Sequence, residues 1–98
     1  MALVIEWADD AMLQINQLYS YLEAEWTEKE IRAFTKKLDT QLKLISKQPT
    51  LYKRSERLLG ARECIITRHN TLFYIFDKNK LYVLMLWNNR MGDNHLKP

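Results

Sequence analysis

The sequence of 98 residues contains a single cysteine, two glycines and two prolines. With Cys64 alone, no disulfide can form within the chain, and its place in an apolar run predicts a small buried residue in a reducing compartment. Two glycines argue against a glycine-rich phosphate-binding loop. The sequence has no Cys and His spacing typical of zinc ligands, and His69 and His95 lie far apart. We therefore predict no metal site, no cofactor and no small-molecule substrate.

Long hydrophobic runs are also missing. No apolar stretch reaches the roughly 18 to 20 residues that a membrane-spanning helix requires, and the N-terminus lacks the basic and apolar segments of a signal peptide. We expect neither a membrane partner nor export. The composition, 47% hydrophobic and 28% charged, is that of a globular protein with chain enough for one core but not for two. We expect a single domain over residues 1–98.

Charge is distributed unevenly along the chain. Residues 1–30 contain seven acidic residues and one lysine, a net charge of −6, whereas residues 31–98 contain fourteen Lys or Arg and five acidic residues, a net charge of +9. This asymmetry predicts a basic surface on the second part, which an acidic or anionic partner would complement. For any single residue, a solvated charge that keeps a small protein soluble explains the position equally well.

The first part of the chain is predicted to form a strand and a helix. The run of Leu3, Val4 and Ile5, followed by Trp7, is rich in β-branched and aromatic residues, as in a short strand. Apolar residues then recur at spacings of three and four, which is typical of one helical face. That face comprises Ala8, Ala11, Met12, Ile15, Leu18, Tyr19, Leu22 and Trp26.

A second helix is predicted to begin at once, because Thr27 and Glu30 have the spacing of a capping box. Its predicted buried face consists of Ile31, Phe34, Leu38, Leu42 and Ile45. Pro49 ends it, since proline disfavours helical backbone in the preceding residue. Two helices with so short a connection form an antiparallel hairpin.

Three strands are predicted after a loop that runs from Pro49 to Gly60. Residues 63–67, 72–77 and 81–87 are largely apolar, and the segments between them have the length and Asn content of tight hairpin turns. They predict an antiparallel meander that ends in a basic tip around Arg90, with its last strand in the centre of the sheet. The predicted fold is α+β, in the order β-α-α-β-β-β, with the helical hairpin packed on an antiparallel sheet.

Basic residues occur in that loop and where the predicted strands begin or end. If they converge on one side of the sheet, they form a polyanion-binding surface, and otherwise they form a solvated rim. These residues are Lys53, Arg54, Arg57, Arg62, Arg68 and Arg90.

Segments along nearly the whole chain follow the order found in a known superfamily. They are Trp7, the stretch from Tyr19 to Trp26, Pro49 and Tyr52, Gly60 to Glu63, Leu72 to Tyr74, and Leu86 to Arg90. In this order and spacing the sequence resembles the RelE/ParE superfamily of bacterial type II toxins. The resemblance implies a small cytoplasmic toxin that a cognate antitoxin neutralises.

Members of that superfamily act by two mechanisms. ParE-like members block DNA gyrase, whereas RelE-like members enter the ribosomal A site and cut mRNA. For the second mechanism, the resemblance matches Arg62 and Arg90 to arginines that stabilise the charge developing on the phosphate, and Glu63 and His69 are the candidates for proton transfer. For the first mechanism, the same basic residues would be contacts and not catalysts.

The residues after the last predicted strand depart from the RNase pattern. Many RNase members have Tyr, or His followed by Tyr, where this chain has Asn88 and Asn89. Neither amide transfers a proton near neutral pH. Gyrase inhibition is therefore the predicted function, with a ribosome-dependent endoribonuclease as the alternative and a non-toxic antitoxin-binding module as a further one.

Three aromatic residues are candidates for antitoxin binding. They are Trp7, Tyr19 and Tyr52. A partner segment commonly adds a strand to a sheet edge or lays a helix in a groove, and such sites are rich in aromatic residues. Core packing also explains an aromatic residue at helical spacing, so both roles stay open for these positions.

Overall fold

A computed structural model describes residues 2–88 of the chain. The elements are β1 (Val4–Trp7), α1 (Asp9–Glu25), α2 (Glu28–Lys47), β2 (Arg62–Thr67), β3 (Asn70–Phe76) and β4 (Lys80–Asn88). This is the predicted order of strands and helices. The tip residue Arg90 lies outside the described residues, as does His95.

The four strands form one sheet in the order β1-β4-β3-β2. Strands β2, β3 and β4 are the predicted antiparallel meander, and β4 is central. Strand β1 pairs with β4 in parallel, so the sheet is mixed and not antiparallel throughout. The difference arises because the helical hairpin and the long loop separate β1 from its neighbour, and periodicity carries no information on strand direction across such a connection.

One face of this sheet packs against the helices, and the other is free of them. Cys64, Leu72 and Tyr74 point toward the helices and are fully buried in the core. The register places Glu63 opposite Phe73, and these two residues belong to the helix-free face. Because successive strand residues point to opposite faces, each strand contributes alternately to the core and to the candidate site.

Helix α1 follows the predicted apolar period with one exception. It buries Ala11, Leu18 and Leu22. Met12, which was predicted on the same face, is 46% exposed, because it lies at the margin of the roughly 100° stripe that a helix buries. The polar Gln14 is only half-buried, and its side-chain carbonyl accepts the backbone N–H of Leu86 at 2.8 Å.

Helix α2 begins and ends as predicted. It buries Phe34, Leu38 and Ile45, and it partly buries Ile31 and Leu42. Its N-terminus has the predicted capping box. The Thr27 hydroxyl accepts the Glu30 backbone N–H at 3.3 Å, and the Glu30 carboxylate accepts the Thr27 backbone N–H at 3.1 Å. The last helical residue, Lys47, stands two positions before Pro49.

Replacing Thr27 with alanine is expected to lower the free energy of unfolding by about 1 kcal/mol, because the cap hydroxyl is lost. Thr40→Ala is the matched control, since Thr40 is an exposed residue inside the same helix and alanine favours helix there. Urea denaturation of both variants measures the difference. Equal stability of the two variants would contradict the capping role.

Candidate functional site

The loop between α2 and β2 is fastened to the start of β2 by backbone hydrogen bonds. The Glu63 N–H donates to the Lys53 carbonyl at 3.3 Å, and the Ser55 N–H donates to the Ala61 carbonyl at 2.7 Å. These contacts extend the sheet by a short irregular edge next to β2. The basic residues of the loop are therefore placed by backbone pairing beside the first residues of the meander.

Two side chains of this loop hold Glu63. The Arg57 guanidinium donates to Oε1 of Glu63 at 3.1 Å, and the Ser55 hydroxyl donates to Oε2 at 2.6 Å. The same hydroxyl accepts the backbone N–H groups of Arg57 and Leu58. Hydrogen bonding from Arg57, followed by that from Ser55, lowers the pKa of Glu63 below its ordinary value. The Glu63 carboxylate is therefore ionised and serves as the counter-ion of Arg57, with Ser55 bound to its other oxygen.

Arg57 also packs on the helix-free face of the sheet. Its guanidinium carbon lies 5.3 Å from the centre of the Phe73 ring and 5.6 Å from the Trp87 ring. Beneath it, Phe73 is 1% exposed. Attraction between a cation and an aromatic face adds to the ion pair, so Arg57 stabilises the covering loop as well as carrying charge.

A second pair of arginines lies at the beginning of β2. Arg54 forms an isolated antiparallel bridge with Arg62, and both line an open cleft of about 510 Å³. The Arg62 guanidinium donates to the Tyr52 carbonyl at 2.7 Å and lies 5.9 Å from the centre of the Phe76 ring. The remaining lining residues are Ser55, Leu59, Gly60, Tyr74, Ile75 and Phe76.

The turn between β2 and β3 carries the third group of predicted site residues. The Arg68 guanidinium donates to the His69 ring at 3.2 Å, and the His69 backbone N–H donates to the Thr67 hydroxyl at 3.2 Å. This turn follows the end of β2, whereas Arg62 is the first residue of that strand. Roughly 20 Å of extended chain therefore separates Arg62 from the turn.

The predicted catalytic residues consequently do not converge among the described residues. Arg62 points toward the helix side of the sheet, Glu63 points to the helix-free face, and His69 lies at the far end of β2. Arg90 falls outside the described residues. The predicted polyanion-binding residues likewise separate into the cleft pair, the Arg57 network and the turn, and their roles remain predictions.

Two buried titratable groups lie between the sheet and α2. Cys64 is fully buried, as predicted, and burial raises the pKa of its thiol to about 12. Tyr74 is also fully buried, and burial is the main reason why its pKa is raised to about 12. Its hydroxyl donates to the Pro49 carbonyl at 2.7 Å. Both groups are protonated at neutral pH, and Tyr74 anchors the beginning of the loop.

Neither a metal-binding cluster nor a membrane-spanning helix is found in residues 2–88. Within this range no three His, Cys, Asp or Glu side chains are grouped closely enough to hold a metal ion. The same residues contain no helix with the length and apolar character needed to cross a bilayer.

Comparison with known proteins identifies the family. A family model described as the ParE toxin of the type II toxin-antitoxin system parDE matches residues 5–91. The chain belongs to this ParE toxin family. No curated protein matches the sequence significantly. Membership makes the chain the toxin component of a type II toxin-antitoxin system and implies an antitoxin as its partner.

Three solved structures show the same fold as this ParE family toxin. The chromosomal ParDE system from P. aeruginosa superimposes with a TM-score of 0.72 at 11% identity, covering 89% of this chain and 96% of that one. The E. coli DinJ-YafQ complex gives 0.64 at 11% identity, covering 95% and 99%. The YoeB dimer from Staphylococcus aureus gives 0.60 at 21% identity, covering 89% and 97%. The predicted RelE/ParE-like fold is confirmed.

The aromatic residues predicted to bind the antitoxin are anchored within the toxin itself. Trp7, Tyr19 and Tyr52 are each partly buried against the core. The Tyr19 hydroxyl is hydrogen-bonded to the Thr35 hydroxyl, and the Tyr52 hydroxyl donates to the Gln41 side chain at 2.7 Å. Their partly exposed surfaces keep antitoxin contact a prediction for all three.

Other large apolar residues are more exposed than these aromatic residues. Leu13 is 58% exposed, Ile65 62% and Leu59 97%. The exposure of Leu13 and Ile65 could have been predicted from the sequence. Leu13 lies off the apolar face of its helix, and Ile65 alternates with the buried residues Cys64 and Ile66 of its strand. The exposure of Leu59 could not, because it depends on the path of the loop.

Proposed function

We propose that the toxin arrests growth by binding and inhibiting DNA gyrase. The observation that carries this proposal is the state of Glu63, whose carboxylate is bound by Arg57 and Ser55 and whose pKa is lowered. A general base or acid for RNA cleavage works best with a pKa near the working pH and must reach the reacting proton. Glu63 meets neither condition when its oxygens are held in this network.

The position of Arg62 supports the same proposal. For RNA cleavage, the charge-stabilising arginine and the proton-transfer group must surround one phosphate. Arg62 and Glu63 are consecutive strand residues on opposite faces of the sheet, and His69 is far from both. In the proposed function the basic residues contact the target and need not surround a single phosphate. These residues are Lys53, Arg54, Arg62 and Arg68.

The family match points in the same direction. The matched family is the ParE toxin, and the choice of gyrase as target rests on the resemblance of the sequence to ParE-like members that block this enzyme. The solved structures include toxins from several systems at identities of 21% or less, so they support the fold and leave the target to experiment. A gyrase inhibitor acts in the cytoplasm, where we place the toxin.

Controlled expression in a bacterial host tests the proposal, with plasmid supercoiling and transcript integrity read from the same culture. We expect growth arrest, loss of negative supercoiling and intact transcripts, with growth restored when the neighbouring gene supplies the antitoxin. Cleaved transcripts with normal supercoiling would establish the endoribonuclease instead. Undisturbed growth at high expression would indicate the non-toxic antitoxin-binding module.

A further inference from the structure

The cleft beside β2 contains two arginines and no acidic residue. Neither Arg54 nor Arg62 forms an ion pair within residues 2–88. Arg57 differs in this respect, because its guanidinium is neutralised by Glu63 at 3.1 Å. The cleft therefore holds two like charges with no counter-ion among the described residues, an arrangement that favours binding of an external anion.

The fold positions the guanidinium of Arg62 and the backbone of Arg54. The bridge between Arg54 and Arg62 places their backbones side by side, and the Tyr52 carbonyl and the Phe76 ring fix the Arg62 guanidinium. A guanidinium has five N–H donors, of which this carbonyl uses one. Arg54 makes no side-chain hydrogen bond within residues 2–88 and is available to a ligand.

Next to these arginines, the backbone of β3 has an edge that no other strand of residues 2–88 pairs with. Strand β2 begins at Arg62, opposite Tyr74, while β3 continues to Phe76. The Asp77 N–H donates to the Lys80 carbonyl on β4, so by strand alternation the N–H and carbonyl of Phe76 point away from β4, toward the cleft. The chain leaves the line of β2 at Gly60, whose φ of 90° turns it aside.

The walls of the cleft are apolar. Leu59 is 97% exposed and Ile75 is 38% exposed, and both line the same cleft as the two arginines. A ligand suited to this cleft therefore combines negative charge, a backbone that pairs with a strand edge, and apolar side chains. An extended peptide with an acidic residue has all three.

We propose that this cleft receives an extended acidic segment of the antitoxin. An Asp or Glu carboxylate lies between Arg54 and Arg62, the segment's backbone pairs with Phe76, and its apolar neighbours cover Leu59 and Ile75. A polynucleotide is less suited, because its sugar-phosphate backbone has no N–H group to pair with the carbonyl of Phe76. The inference deepens the antitoxin partnership implied by the family and is independent of whether gyrase is the target.

The test uses NMR titration of the purified toxin with two synthetic peptides, acetyl-Thr-Val-Glu-Val-Thr-amide and its counterpart with Gln in place of Glu. We expect the acidic peptide to shift the Phe76 and Gly60 amides and the Arg54 and Arg62 side-chain signals, with about tenfold weaker binding of the Gln peptide. Equal affinity of the two peptides, or shifts confined to other residues, would overturn the proposal.

Variants distinguish the cleft from general attraction to a basic protein. Arg54→Gln is expected to weaken binding of the acidic peptide about tenfold without unfolding the toxin, since the side chain makes no hydrogen bond to any of residues 2–88. Arg68→Gln removes an exposed arginine at the far end of β2 and should change affinity less than twofold. Equal losses in both variants, or tighter binding of a thymidine oligonucleotide at the same residues, would refute the acidic-peptide assignment.

Discussion

Replacing Phe73 with alanine is expected to lower the free energy of unfolding by about 3–5 kcal/mol. The ring is 1% exposed although it lies on the helix-free face, because the loop from α2 to β2 covers it through Arg57. Alanine leaves a cavity and removes one surface on which the guanidinium packs, so the loop is destabilised together with the sheet. Urea denaturation, followed by circular dichroism, measures the change.

Ile75→Ala is the matched control for this substitution. Ile75 lies two residues further along β3 on the same face, but it is 38% exposed. Its truncation should cost less than about 1.5 kcal/mol, since a partly exposed side chain loses less transfer free energy. If both variants lose the same stability, the loop does not cover the face as described.

The second large effect is expected from Glu63→Gln, which should lower the free energy of unfolding at neutral pH by about 1–3 kcal/mol. Glutamine keeps the size of the side chain but removes the charge that Arg57 and Ser55 bind. The Glu63 side chain is 16% exposed but that of Arg57 is 51% exposed, so solvent screens the pair in part and the hydrogen bond from the Ser55 hydroxyl adds to the effect. Glu56→Gln supplies the control, because Glu56 is an exposed carboxylate of the same loop.

The contribution of Glu63 depends on pH in a defined direction. Its pKa is lower in the folded toxin than the ordinary value of 4.5, so the folded state favours the ionised form. The stabilisation is complete above 4.5 and is lost as the pH falls through the folded pKa. The stability difference between the wild-type toxin and Glu63→Gln should therefore shrink in acid. A difference that stays constant down to pH 2 would contradict the ion pair.

Local patterns in the sequence predicted most of the fold. The capping box of Thr27 and Glu30, the end of α2 before Pro49 and the three-stranded meander are each determined by residues close together in the chain. The burial of Cys64 followed from its place in a strand. Where neighbours in sequence decide the conformation, the predictions were confirmed.

Features set by distant residues were not predictable in this way. The parallel pairing of β1 depends on the course of the hairpin, and the hold of Ser55 and Arg57 on Glu63 depends on the loop folding back onto β2. The opposite directions of Glu63 and Arg62 follow from strand alternation, which the prediction did not apply when it matched Arg62 to a family arginine and chose Glu63 for proton transfer. The unpaired edge at Phe76 becomes visible only once β2 is seen to start late.

We propose that this ParE family toxin acts by binding gyrase and not by cutting RNA. The most direct measurement adds purified toxin to DNA gyrase, ATP and relaxed plasmid, and in parallel to ribosomes translating a defined mRNA. We predict that supercoiling falls with increasing toxin while the mRNA remains intact. Full supercoiling together with mRNA cleaved in the translation reaction would contradict the claim.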